Sequence, residues 1–195
     1  EFSGEVRCFF QQAEEIGQGA RQFVDAGLLE GVDRVYGAHM CSSLDVGDVS
    51  LTPGPMNASC DYFKIEVKGK GAHVSTPQLG IDALYIASQI VVNLQTIVSR
   101  NTAPVDSAVV GVGVLRAGTQ YNIVAEDAVL EGTTRSFTPQ QRAFTNQKVE
   151  TIATQTAALF GASATVTFKD YAAPLINDED IANEVSKIAE AIVGP

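Results

Sequence analysis

The sequence predicts an α/β protein that carries an inserted ferredoxin-like module with the element order β-α-β-β-α-β. Three observations lead to this fold class. Residues 62–68 alternate between apolar and charged side chains, the period-two pattern of a half-buried strand. Residues 82–100 carry apolar side chains at helical spacing. Residues 138–160 begin with Thr-Pro and end before Gly161, as a capped helix does. This alternation is the split βαβ arrangement.

The remaining elements complete this organisation. In the first 60 residues, a short helix at 20–26 ends at Gly27. Near the other end, Asn177 or Asp178 caps a final amphipathic helix. The other three strands of the module are expected at residues 108–115, 128–137 and 164–169. Strands before the module are expected at residues 5–10 (buried), 34–40 and 47–51.

The helix at residues 82–100 is apolar over a wide arc. One stripe contains Leu84 and Val91, and a second contains Ile86 and Ile90. A helix with so wide an apolar arc buries more than one face. It carries a subunit contact in addition to a sheet contact, or both stripes lie in the core of one monomer. The sequence favours neither alternative.

The chain is acidic. Its 195 residues include 13 Lys and Arg against 23 Asp and Glu, which gives a net charge of −10 at pH 7. Such a surface repels nucleic-acid phosphates and anionic lipid, so we expect no nucleic-acid and no membrane partner. The three cysteines show no CxxC spacing, and unpaired thiols of this kind favour a cytoplasmic location.

Two adjacent carboxylates and a histidine are candidates for a metal centre. Glu14 and Glu15 follow the strand expected at residues 5–10, and neighbouring carboxylates can divide between metal binding and proton transfer. His39, one of two histidines, is a candidate ligand beside Glu15. The alternatives are a solvated loop for the carboxylates and a hydrogen-bonded core position for His39.

Three residues of the module are candidates for substrate contact. His73 lies between glycines and Pro77, which fix its backbone, and could donate a hydrogen bond to a developing oxyanion. Asn122 follows a turn, and Arg135 lies on an expected strand, where its guanidinium could bind a carboxylate in two places. An ordinary turn histidine and a surface ion pair are the alternatives.

Seven short segments occur in a specific order. They are residues 9–15 (FFQQAEE), 37–39 (GAH), 54–59 (GPMNAS), 68–73 (KGKGAH), 94–100 (LQTIVSR), 121–124 (YNIV) and 132–137 (GTTRSF). Together, from Gly4 to about Ala172, they resemble the M20 metallopeptidase and amidohydrolase family. Within it they are most similar to the branch of hippurate, N-acyl-amino-acid and auxin-conjugate hydrolases.

The resemblance implies part of a zinc-peptidase-like catalytic domain, interrupted by a ferredoxin-like lid through which the protein forms a homodimer. By position in the motifs, Glu14 would be the general base, and Glu15 and His39 would be metal ligands. From the lid, His73 would steady the oxyanion, in this family often in the neighbouring subunit's site.

The same motifs imply how substrate and metals are held. Asn122 and Arg135 would hold the carboxylate end of the substrate. A complete site would contain two divalent metal ions, zinc or manganese. The family's other metal ligands fall outside these 195 residues, so we expect a central piece of a longer enzyme with an incomplete site. The family's usual Pro after the Asn-Ile-Val segment is Ala125 here.

These expectations define the domains and one function. Residues 1–59 would belong to the catalytic domain, 60–172 would form the lid and dimerisation domain, and 173–195 would return to the catalytic domain. The parent protein would hydrolyse the amide bond of N-acyl amino acids or small peptides, whereas this chain alone would be inactive. The alternatives are a non-catalytic dimerisation or ligand-binding module and an acyl-ligand carrier without catalysis.

Overall fold

The structure is a computed structural model and describes residues 3–194. The chain forms two compact units that divide between Ser50 and Leu51. Across the residues described, no helix is both long enough and apolar enough to cross a membrane. In chain order, the helices and strands are α1 (Gly19–Asp25), β1 (Gly54–Asn57), β2 (Cys60–Lys68), β3 (Ala72–His73), α2 (Ala83–Leu94), β4 (Ala108–Ala117), β5 (Ile123–Val124), β6 (Asp127–Ser136), α3 (Pro139–Leu159), β7 (Ser163–Ala172), β8 (Leu175–Asn177) and α4 (Glu179–Val193).

The second unit confirms the ferredoxin-like module. Its main sheet has four antiparallel strands in the order β4-β6-β2-β7. Helices α2 and α3 pack against this sheet and against each other. Both edge strands, β4 and β7, contain ten residues. The connection from β2 through α2 to β4, and from β6 through α3 to β7, is the predicted β-α-β-β-α-β order.

Strand β2 shows why the alternating pattern specifies this sheet. Phe63, Ile65 and Val67 are buried on the face that the helices cover, whereas Lys64 and Glu66 lie on the opposite face. Successive side chains of a strand point to opposite faces, so the apolar half of the pattern enters the core. The buried apolar residues packed with them are Ala83, Ile86, Ala87, Ile90, Leu94, Ile97, Val110, Ala125, Ala128, Leu130, Val149, Ala153 and Ala157.

The three helices of the second unit begin where side chains cap them. The Asp82 carboxylate accepts hydrogen bonds from the N–H groups of Leu84 and Tyr85, and the Thr138 hydroxyl accepts one from Gln141. Asp178, rather than Asn177, caps α4 by accepting from the Ile181 N–H. The expected helix at 82–100 is too long, because α2 ends at Leu94 and a wider turn follows at Ile97–Asn101.

Helix α2 does not bury both of its apolar stripes within the chain. Ile86 and Ile90 lie in the core. Leu84, from the other stripe, is 46% exposed, and Val98, in the wider turn that follows α2, is 41% exposed. The alternative in which one monomer's core takes the whole arc is therefore wrong for this part of the helix.

A buried ionic network fastens α3 to the sheet. Asp61, which is 2% exposed, accepts two hydrogen bonds from the Arg142 guanidinium at 2.7 and 2.6 Å and a third from Asn146 at 3.1 Å. Arg142 also donates to Asp170 on β7 at 2.5 Å. These hydrogen bonds, those to Asp61 above all, raise the pKa of Arg142 further above its ordinary value. The network joins β2, β7 and α3 at one point.

The sequence did not predict two short ribbons, each formed by two antiparallel strands. β1 pairs with β8, and β3 pairs with β5. Because β1 pairs with β8 inside the second unit, the compact units divide at residues 50 and 51 and not near Ser59. The assignment of residues 1–59, 60–172 and 173–195 to domains of a whole enzyme stays a prediction.

The structure of the first unit differs from the sequence prediction at three expected strands. Residues 3–50 form α1 and turns but no strand, so the strands expected at 5–10, 34–40 and 47–51 are wrong. Val6 is 70% exposed and Phe10 is 89% exposed. No other segment of the described chain forms a strand with residues 5–10. A strand requires a partner for its N–H and C=O groups, and apolar residues alone do not supply one.

Removing Arg142 should destabilise the second unit strongly. Arg142→Met leaves the buried Asp61 carboxylate without its cation, and breaking a buried pair in this way costs about 3–5 kcal/mol. The free energy of unfolding in urea measures the loss. Lys148→Met, on the same helix, removes only a contact over the Phe144 ring and should cost about 1 kcal/mol or less. Equal losses in the two variants would contradict this role for Arg142.

Candidate functional site

His73 lies on a loop that the backbone closes. The Lys70 N–H donates to the Ile81 carbonyl at 2.9 Å, and the Ile81 N–H donates back to Lys70 at 2.9 Å. Gly69 permits this approach, because a Cβ atom there would lie 2.2 Å from the Ile81 oxygen. The glycines around His73 therefore hold its backbone in place, as the sequence suggests.

Asn122 lies beside His73, immediately before β5 of the β3–β5 ribbon. His73 is paired with Ile123, and the Val74 N–H donates to the Asn122 carbonyl at 3.0 Å. A cleft next to the ribbon is lined in part by Val74 and Tyr121. The structure thus brings two of the candidate substrate-binding residues together at one end of the module.

The His73 ring is held by the residue two positions further along. The backbone N–H of Ser75 donates to His73 Nδ1 at 3.1 Å, and Ser75 Oγ lies 2.7 Å from the same nitrogen. The side chain of His73 is nevertheless exposed. The ring is therefore oriented by local contacts while its other nitrogen remains accessible.

Arg135 lies at the other end of the sheet. Its neighbours Thr134 and Ser136 are buried on the helix-covered face, so alternation places Arg135 on the open face. It is eight residues along β6 from Asp127, where the chain enters from the His73 ribbon; at 3.3 Å per residue this is about 26 Å. The structure does not bring Arg135 to His73 and Asn122.

The other charged side chains of the open face form hydrogen bonds with one another. Tyr62 donates a hydrogen bond to Glu131 at 2.9 Å and Arg116 donates one at 2.8 Å, which lower the pKa of Glu131. The contact with Glu131 raises the pKa of Tyr62. Within residues 3–194, Arg135 makes no ion pair. Its guanidinium is thus available to a ligand carboxylate.

Glu14 and Glu15 lie in the first unit on a short 3₁₀ turn, Glu14–Ile16. Ala13, just before them, has φ +52°, and no other non-glycine residue among those described has a positive φ. Such a conformation costs about 1–2 kcal/mol in an L-residue and concentrates at functional sites. Both carboxylates are exposed, and they follow an exposed extended segment, not the buried strand we expected.

His39 is an exposed residue of the first unit, which overturns the core alternative. Its Nδ1 lies 2.7 Å from the Met40 carbonyl oxygen. A carboxylate and an imidazole are suitable ligands for zinc or manganese. Nowhere in residues 3–194, however, do three or more His, Cys, Asp or Glu side chains meet as a metal cluster. The side chains of Glu15 and His39 are of the types that bind a divalent ion, and they would form part of its ligand set.

Two residues with clear roles were not singled out from the sequence. Ser75 lay inside the His73 motif without a role. Asp61 occupies an inward position in the alternation of β2, between the buried Ser59 and Phe63. A charged residue at an inward strand position is a signal for a buried partner, and that signal could have found the Asp61–Arg142 network.

The module matches a known domain. Residues 59–159 match the model of the M20 peptidase dimerisation domain, which covers more than half of the chain. The chain belongs to the M20 family. Its M20 relatives include an N-acetyl-L-cysteine deacetylase of Bacillus subtilis, 41% identical over 95% of this chain and 45% of the relative. They also include the IAA-amino acid hydrolase ILR1-like 4 of Arabidopsis thaliana, 35% identical over 100% and 45%.

Solved structures of the M20 family agree with this assignment. A Bacillus subtilis protein described as a dinuclear metal-binding M20 peptidase superposes with a TM-score of 0.76 and 34% identity. The match covers 94% of this chain and 46% of that structure. The chain spans about half the length of the curated relatives that it matches.

Adding a methyl group at Gly69 should disturb the His73 loop. In Gly69→Ala, the new Cβ would meet the Ile81 carbonyl oxygen, so the bridge must open, at a cost of about 1–3 kcal/mol. Urea unfolding and the backbone NMR shifts of residues 70–81 measure the effect. Gly111→Ala is the matched control, since a Cβ there meets nothing within 4 Å. Unchanged loop shifts in Gly69→Ala would contradict the prediction.

Proposed function

We propose that this chain is part of a metal-dependent amidohydrolase that cleaves the amide bond of N-acyl amino acids or small peptides. The observation that carries the proposal is the Glu14–Glu15 turn behind the strained Ala13, in a chain that also contains an M20 dimerisation domain. A module that only dimerises needs no carboxylate pair in such a turn. Relatives named as a deacetylase and an amino acid conjugate hydrolase support the amide substrate.

The first unit would supply the base and two metal ligands. Glu15 and His39 would hold a divalent ion of a two-metal site, zinc or manganese, whose role when bound is to polarise the scissile carbonyl. Glu14 would take a proton from the attacking water and pass it to the leaving amine, the two steps of general acid–base catalysis. The positive φ of Ala13 supports a fixed position for this carboxylate.

The second unit would bind the substrate and the oxyanion. His73 would donate a hydrogen bond to the carbonyl oxygen as negative charge develops there. Asn122, beside it, and Arg135 would hold the substrate's carboxylate end. Because about 26 Å of strand separates Arg135 from the His73 ribbon, one chain's module cannot place all three around one small substrate. The geometry supports a site completed by His73 and Asn122 of a second copy.

A homodimer through the module agrees with its exposed surfaces. Strand β4 is an edge of the sheet, with free N–H and C=O groups on one side, and Val109 on it is 54% exposed. Beside it, α2 exposes Leu84 and Val92, and the turn that follows the helix exposes Val98. Edge pairing of β4 with its symmetry mate would cover Val109 on the open face and the exposed residues of the helix side on the other face.

Removing the base should abolish amide hydrolysis. In the full-length protein, Glu14→Gln should lower the release of amino acids from N-acyl amino acids by about 100-fold or more, because general acid–base catalysis contributes at least that factor. A chelator should abolish release from the wild type. Glu30→Gln, another exposed carboxylate of the first unit, should retain activity. The 195-residue chain alone should show no steady turnover with zinc or manganese added.

No release from the folded, metal-loaded full-length protein would contradict the proposal and favour the non-catalytic module. Steady turnover by the 195-residue chain would contradict the incomplete site.

Mixing two inactive variants should restore activity. If each site takes Glu14 from one copy and His73 from the other, a heterodimer of Glu14→Gln and His73→Ala contains one intact site. Random mixing makes half of the dimers heterodimers, so about a quarter of wild-type activity should return. Co-expression with two affinity tags and amino acid release measures this. Mixtures as inactive as their components would show that His73 acts in its own subunit.

A further inference from the structure

The two histidines of the chain have different partners at the same ring nitrogen. His39 Nδ1 lies 2.7 Å from the Met40 carbonyl oxygen. A carbonyl oxygen only accepts hydrogen bonds, so Nδ1 must carry the proton of the neutral ring. Nε2 of His39 is then left with its lone pair.

His73 has the reverse arrangement. Its Nδ1 receives the backbone N–H of Ser75 at 3.1 Å, and an N–H group only donates. Nδ1 must therefore hold the lone pair, and the proton of the neutral ring lies on Nε2. The Ser75 hydroxyl, 2.7 Å away, can donate to the same Nδ1 and strengthens this preference.

We infer that the chain fixes its histidines in opposite tautomers, and that Ser75 is the positioning residue that makes His73 an Nε2–H donor. The tautomers follow from the contacts alone, and their use rests on the proposed function. His39 would offer a lone pair to a metal ion while its Nδ1–H is held by a carbonyl, the usual arrangement of a metal-binding histidine. His73 would offer an N–H to an oxyanion.

Ser75 matters because the wrong tautomer would act against the reaction. With the proton on Nδ1, His73 would present a lone pair to the developing negative charge and repel it. A neutral imidazole exchanges its proton between the two nitrogens unless a neighbour selects one. The loop closed by Lys70 and Ile81 keeps Ser75 next to the ring, so that its N–H and its hydroxyl both act on Nδ1.

Imidazole ¹⁵N NMR of the 195-residue chain tests the inference directly. Long-range ¹H–¹⁵N spectra distinguish the two neutral tautomers, and a pH near 9 keeps rings neutral, since the ordinary histidine pKa is about 6.5. His39→Gln assigns the two sets of signals. We expect His39 to show Nδ1–H and His73 to show Nε2–H, with no second tautomer for either.

Variants at position 75 make the test specific. Ser75→Asp places an acceptor-only carboxylate at Nδ1, so His73 should shift towards Nδ1–H. Ser75→Thr keeps the hydroxyl and should retain Nε2–H. Ser99→Ala is the matched control, because the Ser99 hydroxyl donates to the Gln95 carbonyl and does not contact His73. The opposite tautomers are overturned if His39 shows Nε2–H or His73 shows Nδ1–H in the wild type. The positioning role of the Ser75 hydroxyl is overturned if the His73 signals are the same in Ser75→Asp and wild type.

Activity separates this inference from the proposed function. In the full-length protein, Ser75→Asp should lower kcat about 10-fold or more with little change in KM. Ser75→Thr should retain the wild-type kcat. A protein with the expected tautomers but no amide hydrolysis would refute the proposed function and leave the tautomers established. An active protein whose kcat is unchanged by Ser75→Asp would overturn the positioning role of Ser75 alone.

Discussion

The buried pair of Asp61 and Arg142 is the interaction on which the module depends. It joins the first residues of β2 to α3, and Asp170 ties the same guanidinium to β7. A charge that is 2% exposed would be costly without this partner, so the position of α3 on the sheet is strongly constrained. With α3 fixed, α2 fills the remaining part of the same face, and the opposite face stays open.

This arrangement places different groups on the two faces of the sheet. The covered face carries the apolar core, and the open face carries Arg135 and the Tyr62–Glu131–Arg116 cluster. The ribbon that bears His73 and Asn122 lies beyond one end of the sheet and is held by backbone contacts. The three candidate substrate-binding groups therefore lie at two ends of one module, which agrees with the proposed site shared between two copies.

Local patterns predicted the module well and the first unit poorly. The alternation in β2, the Thr138 cap and the Asp178 cap depend on neighbouring residues, so the sequence contains them directly. Residues 5–10 are equally apolar but have no strand to pair with in the described chain, and pairing cannot be read from one segment. The ribbons β1–β8 and β3–β5 join distant residues through very short strands. The six candidate site residues came from motifs, whereas the distance from Arg135 to His73 required the fold.

The two edges of the sheet must behave differently if the protein assembles as a closed dimer. Pairing through β4 would give an eight-stranded sheet that ends in β7 on both sides. If β7 also accepted a neighbour, copies would add without limit and form a filament. Charged side chains on an edge strand discourage such pairing, and β7 carries Lys169 and Asp170. The charges on β7 would thus leave β4 as the one edge that pairs and keep the assembly finite.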